Sequence, residues 1–360
     1  MQFMRKLRRR TLETPDFTSS RPLVLLHSDD WGRVGVRDKD GYDNLRSKGL
    51  RLGEHPCDLY SLETAKDVNN LCSLLSKHRD SDGRPPSLGM NFCLANLDFK
   101  EMREQRFDKL EFLPLAKGLP GRWSRPGLIE AYRAGIEKHV FAPGLQGVTY
   151  FSKAAVELAM SKKGERSRLL RLLWEEDTPC IPWRMPWIGY EFWNPEAPGD
   201  GFVAEENQNL LIKHAGELFF ALFGAHATSA CAPGYRSDLA TYQAWSEGGV
   251  RIVEHSPSEG LNKPKMDASG LLHLYRVLEI EPIRKDVEVE KYLRLADACF
   301  AQGIPLVLSV HSINFHSTLK DFRSATLAAL DALLTALEAK FQNLLYVNND
   351  DLYAMAAGNS

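Results

Sequence analysis

Two neighbouring carboxylates, Asp29 and Asp30, close the apolar run that begins at Leu23 (LVLLHSDDWG), and His311 follows a second apolar run over 304–310. Adjacent carboxylates at the mouth of a strand repel each other, a cost tolerated where a metal or a proton is handled. The plainer alternative is that the two acids cap the turn that follows. An imidazole suits proton donation because its pKa lies near neutral pH; the alternative for His311 is a histidine hydrogen-bonded within the rim of the fold. His27 lies two residues before Asp29, so both point to one side of an extended strand. It is a candidate metal ligand beside Asp30, or a structural histidine at a strand end. His226, His255 and His316 are further candidates near strand ends.

The pattern around these residues predicts the elements that carry them. Apolar runs over 23–26, 88–94, 250–253, 277–280, 304–310 and 344–347, with a further strand ending at Pro233, alternate with helical segments. A capping box at Thr64–Asp67 opens one helix. Apolar spacing marks others over 125–139, 152–160, 206–223, 239–247, 288–302 and 320–340. The charged stretch 33–58 has no sustained period and is expected as a long loop. Over about 174–201, four of the seven tryptophans mix with five prolines, which predicts an irregular excursion packed over the body. Its rings could roof a sugar-binding cleft, or seal the side of the fold or an oligomer contact. Such alternation predicts an α/β protein, a distorted (β/α) TIM-like barrel of about seven or eight parallel strands, with chemistry at the C-terminal strand ends. Asp29, Asp30, Gln146, Pro233, Tyr235 and His311 all fall at such ends.

Composition narrows the function classes. The 360 residues are 44% hydrophobic, enough for a sizeable core, and the 45 basic and 47 acidic side chains leave a formal charge of -2. That balance gives no global field for nucleic acid or membrane. The basic cluster over 5–10 (RKLRRR) is expected as a solvated part of an N-terminal extension, 1–21, before one barrel domain, 22–360. No apolar h-region follows it and no stretch approaches a bilayer span, so a cytoplasmic protein is expected. The six cysteines lie far apart without a CxxC pair, against thiolate zinc sites and disulfide frameworks.

HSDDWG after the first strand, APGY after a middle one and LSVHSINF at the end of a late one, in that order, resemble the polysaccharide deacetylases, metal-dependent carbohydrate esterases with a distorted (β/α) barrel. The run over 61–99 and the pair Glu281-Pro282 are similar to a deacetylase-like branch of them. The resemblance implies Asp29 as general base on a metal-bound water, Asp30 as a ligand of a divalent metal (zinc or similar), and His311 as general acid. It further implies a carbohydrate or acylated amino-sugar substrate, with Trp31, Tyr150, Pro233, Tyr235 and Asn314 lining its site. Two departures stand against it. Gln146 and Tyr150 occupy the places of the expected histidine pair, and neither is a usual ligand for catalytic zinc or iron. Cys231 replaces an arginine that orients the base.

Three functions follow. The first is a hydrolase removing an N- or O-acyl group from a sugar, acting on non-peptide carbon–nitrogen bonds. The second is an altered barrel that binds a saccharide without metal. The third is a carboxylate-based hydrolase or lyase that pairs Asp29 with Asp98 or Glu281.

Overall fold

The structure, a computed structural model, describes residues 16–358. The basic cluster over 5–10 lies outside the described residues. Just before the barrel Phe17 is buried, its N–H donating to the Pro264 carbonyl at 2.8 Å.

Among the described residues there are twelve strands: β1 (Leu23–Trp31), β2 (Leu88–Cys93), β3 (Ala95–Leu97), β4 (Phe112–Pro114), β5 (Phe141–Gly147), β6 (Ser229–Ala230), β7 (Ile252–His255), β8 (Lys265–Met266), β9 (Leu272–Tyr275), β10 (Leu278–Glu279), β11 (Leu306–His311) and β12 (Leu345–Tyr346). The main sheet runs β10-β11-β1-β2-β5-β6-β7-β9-β8, with β12 beside β1. All its pairings are parallel except β8 with β9. The sheet curls because one stretch of chain serves both flanks: β9 pairs with β7, and its continuation β10 pairs with β11. Counting β9 and β10 as one interrupted strand, the architecture is the distorted TIM-like barrel expected from the alternation, with helices between the strands.

A two-residue period organises the interior. Side chains alternate faces along a strand, and the two hydrophobic clusters separate accordingly. Val24, Leu26, Val253, Leu306 and Leu308 belong to the large outer cluster beneath the helices. Leu23, Leu25, Ile252, Leu272, Leu274 and Val307 form the inner one. Continuing the inner parity toward the strand ends gives His27 and Asp29 on β1, Glu254 on β7, Arg276 after β9 and His311 on β11. The barrel is therefore apolar at its base and ionic at its mouth. Small residues leave room for the ionic layer: a Cβ on Gly144 would come 2.2 Å from Asn91 Oδ1 and 3.0 Å from Ser229 Oγ.

At the end of β1 the alternation breaks. Asp30 has φ 72°, and the β1–β2 register shifts between Ser28 and Trp31. A left-handed aspartate costs about 1–3 kcal/mol unless its surroundings fix it. Here they do: the Asp30 N–H donates to Gln146 Oε1 at 2.9 Å, and the Asp30 carbonyl accepts from Tyr60 (2.6 Å) and Ser312 (3.2 Å) hydroxyls.

Most expected helices fall within a few residues of their predicted bounds. The stretch expected as a loop over 33–58 contains a helix, Lys39–Ser47, capped by Asp38. It buries only Gly41 and Leu45, too little for an apolar period to show. The strand expected over 277–280 is the second half of the interrupted β9–β10 segment.

Gly144→Ala should lower stability by about 1–3 kcal/mol, since the added methyl overpacks against the buried Asn91 amide. Urea unfolding measures it; a midpoint equal to wild type would show that Asn91 is free to move.

Candidate functional site

The inner ionic layer is one connected network. Arg276 grips Asp29 with both terminal nitrogens: Nη1 donates to Oδ2, and Nη2 to Oδ1 at 2.7 Å. The same guanidinium donates to Glu254 Oε2 at 2.9 Å and lies 3.7 Å from Cys231 Sγ. Asn91 Nδ2 donates to both Asp29 Oδ1 and Glu254 Oε2 at 2.9 Å, and Asn349 Nδ2 donates to Glu254 Oε1 at 2.9 Å. Every one of these residues is buried. Burial alone would raise the Asp29 carboxyl, but Arg276, with help from His311 and Asn91, holds it well below the usual carboxylate range. An arginine does orient Asp29, then, although it arrives from the end of β9 rather than from the position of Cys231.

Asp30, turned away from the helix-facing parity by its backbone, faces a cavity of about 520 Å³. Its Oδ1 accepts from Gln146 Nε2 at 2.9 Å, and its Oδ2 accepts from Arg33 Nη2 at 3.2 Å. The Arg33 guanidinium lies between two aromatic faces, its carbon 3.9 Å from the Tyr60 ring centre and 4.2 Å from that of Tyr150. Opposite stands His311, in register with Asp29 on the adjoining strand, its Nδ1 2.6 Å from Glu281 Oε1. Asn314 holds the other Glu281 oxygen at 2.7 Å. Burial opposes the imidazolium, but the Glu281 carboxylate overrides it and raises His311 to about 9.

The aromatic excursion covers this cavity. Trp183, Tyr190 and Trp193 line it together with Pro182, Pro186 and Pro195. Tyr190 packs onto Gly234, where a Cβ would come within 2.3 Å of its ring. Glu191 fastens the excursion to the end of β5 by accepting from the Val148 and Thr149 N–H groups at 3.0 and 2.9 Å. The excursion thus lies over the cavity at the barrel mouth.

Several expected positions lie elsewhere. Trp31 is fully buried, stacked on Phe315 at 5.8 Å, so it packs the core and does not line the cavity. Asn314 is buried behind Glu281. Pro233 is buried, and the Tyr235 hydroxyl accepts from Arg276 at 2.7 Å. Of the five residues expected to line the site, Tyr150 does so. His27 is not brought to Asp30: its Nε2 lies 2.9 Å from Asn349 Oδ1 and its Nδ1 3.2 Å from Glu254, and burial pushes its pKa down. His316 pairs with buried Glu63, and His255 with His273. Asp98 caps the helix Phe99–Glu104.

A divalent metal does not fit these residues. Both Asp30 oxygens are bonded to protein donors, and Gln146 and Tyr150 add no usual ligand. Among the described residues, Asp29, Cys231 and Glu254 bring ligand atoms within 4.8 Å of one another, but the Arg276 guanidinium already contacts all three. Arg33, Asn91, Glu254 and Arg276 were not singled out in the sequence. The inner parity of β2, β7 and β9 would have found the last three; Arg33 carries no such signal.

The His311–Glu281 pair makes a pH prediction. A histidine raised in the folded state contributes stability fully below about pH 6.5, and loses it as pH rises through its folded value. The gap in urea midpoint between wild type and His311→Gln should therefore shrink from pH 6.5 to 9. A gap constant over that range would show that the pair is not ionised as described.

No family model matches the chain, and no curated protein does. Solved structures do align with it over most of its length. A Mycobacterium smegmatis protein assigned as a polysaccharide deacetylase shares 11% identity, with 97% of this chain and 94% of that one covered at TM-score 0.48. The Puue allantoinase shares 13%, with 99% and 98% covered at 0.49. A Pseudomonas aeruginosa protein likewise assigned as a polysaccharide deacetylase shares 13%, with 94% and 91% covered at 0.47. In overall trace the chain is similar to polysaccharide deacetylases and to an allantoinase, and it carries Gln146 and Tyr150 where the sequence resemblance expects histidines.

Proposed function

We propose that the chain is a deacetylase-like barrel that binds a saccharide in its mouth without a bound metal. The observation that carries this reading is the commitment of Asp30: the carboxylate that the sequence resemblance assigns to a metal is hydrogen-bonded on both oxygens, by Gln146 and Arg33. The cavity above it suits a sugar. Rings of Tyr150, Trp183, Tyr190 and Trp193 offer faces for the apolar sides of pyranose rings, and its volume is that of a small-ligand site.

A second reading, removal of an N- or O-acyl group from a sugar, is favoured by His311. A charged imidazole braced by Glu281 on the cavity wall can donate a proton to a leaving amine or alkoxide. The matching base is less well served, because Arg276 occupies both oxygens of Asp29 and stabilises its charged, weakly basic form.

Binding and turnover separate the two. Chito-oligosaccharides titrated into the purified full chain should bind, with at least a tenfold loss on Trp193→Ala and no acetate release by wild type. Elemental analysis should find well under one divalent ion per chain. A stoichiometric ion whose removal by chelator abolishes binding would overturn the metal-free reading. Acetate release that is lost on His311→Gln and Asp29→Asn would replace it with the hydrolase.

A further inference from the structure

Charge divides the cavity unevenly. Arg33, Arg236 and Arg284 line it against two carboxylates, Asp30 and Glu281. Both acids are already committed, Asp30 to Gln146 and Arg33, Glu281 to His311 and Asn314. Arg33 pairs with Asp30, and Arg284 lies against Cys57 and Glu281, so the cavity carries one more arginine than carboxylate. Arg236 has an exposed side chain poised over the Trp193 ring, its guanidinium carbon 4.8 Å from the ring centre. Arg33 makes one hydrogen bond from its guanidinium, to Asp30, and its buried Nε has no partner.

Of the Arg33 nitrogens, Nε is sealed without a partner, so the donors within reach of a ligand are those of the two terminal nitrogens. With the Tyr60 and Tyr150 ring centres 3.9 and 4.2 Å from its carbon, the guanidinium offers a ligand the edge formed by its terminal nitrogens. That edge matches a carboxylate, whose two oxygens take parallel N–H bonds. Where the family resemblance expects an exchangeable metal cation, this chain holds a fixed organic one.

We infer that the cleft takes a sugar bearing a carboxylate, and that Arg33, clamped between Tyr60 and Tyr150, receives that carboxylate while Arg236 attracts it at the rim. The inference rests on the reading of the cleft as a saccharide site and adds the charge of the ligand to it. A neutral sugar would stack on the same rings but leave the Arg33 edge unsatisfied.

Trigalacturonate and its methyl ester share rings and differ in charge. Calorimetric titration of each into the full chain at low salt should show the acid bound at least about tenfold more tightly than the ester, a difference of about 1.4 kcal/mol. Arg33→Gln should bring the ratio of the two affinities close to one. Arg236→Gln, at an exposed position, should reduce the ratio about threefold and serves if Arg33→Gln fails to fold. Equal binding of acid and ester by wild type would overturn the inference and leave the saccharide reading standing. Binding of neither form would overturn both.

Discussion

Arg276 is the interaction on which the mouth of the barrel depends. Two carboxylates, Asp29 and Glu254, are sealed within it, and an unpaired buried charge costs several kcal/mol. The guanidinium bonds both at once, and the amides of Asn91 and Asn349 complete their coordination. Because these groups come from β1, β2, β7, the end of β9 and the segment after β12, one ion network ties together strands far apart in sequence. It also decides chemistry. A carboxylate gripped on both oxygens keeps its proton affinity low, so Asp29 is better placed to hold the fold's charge balance than to accept a proton from water.

The second determinant is the reversal of backbone at Asp30. Had β1 continued its alternation, one acid would face the interior and the next the helices. The left-handed turn instead sends Asp30 to the cavity, where Gln146 and Arg33 meet it. Gln146 makes this local exchange reciprocal, accepting from the Asp30 N–H and donating to its carboxylate. A neutral amide thus does structural duty at a place where the sequence resemblance expects a metal-binding histidine. The mouth is consequently divided into a closed ionic layer below and a ligand-facing layer above, with His311 between them.

Much of this was legible in the sequence, for stated reasons. Continuous apolar runs made β1 and β11 plain, and acids or histidine at their ends marked the mouth. The proline and tryptophan content of the excursion announced irregular structure. The family resemblance misled at Trp31, which it implies for the substrate site, yet the indole continues the core onto Phe315. Glu254 and Arg276 escaped notice because β7 and β9 have four residues each, too few for a pattern to rise above its surroundings. Their parity with Ile252, Leu272 and Leu274 becomes visible only once the partner strands are known. Arg33 follows a strand end, in a stretch whose charge suggested solvent, and only tertiary packing against Tyr60 and Tyr150 reveals its role.

The interrupted strand that serves both flanks of the sheet has a consequence for how the chain is made. As a polypeptide leaves the ribosome, the barrel strands β1, β2, β5, β6 and β7 emerge with Asp29 and Glu254 but before the cation that binds them. Residue 276 must clear the exit tunnel before its guanidinium can reach them, and β11, which lies between β10 and β1, must follow before the ring can close. The first 275 of the 360 residues therefore carry two acids whose pairing awaits a later arginine.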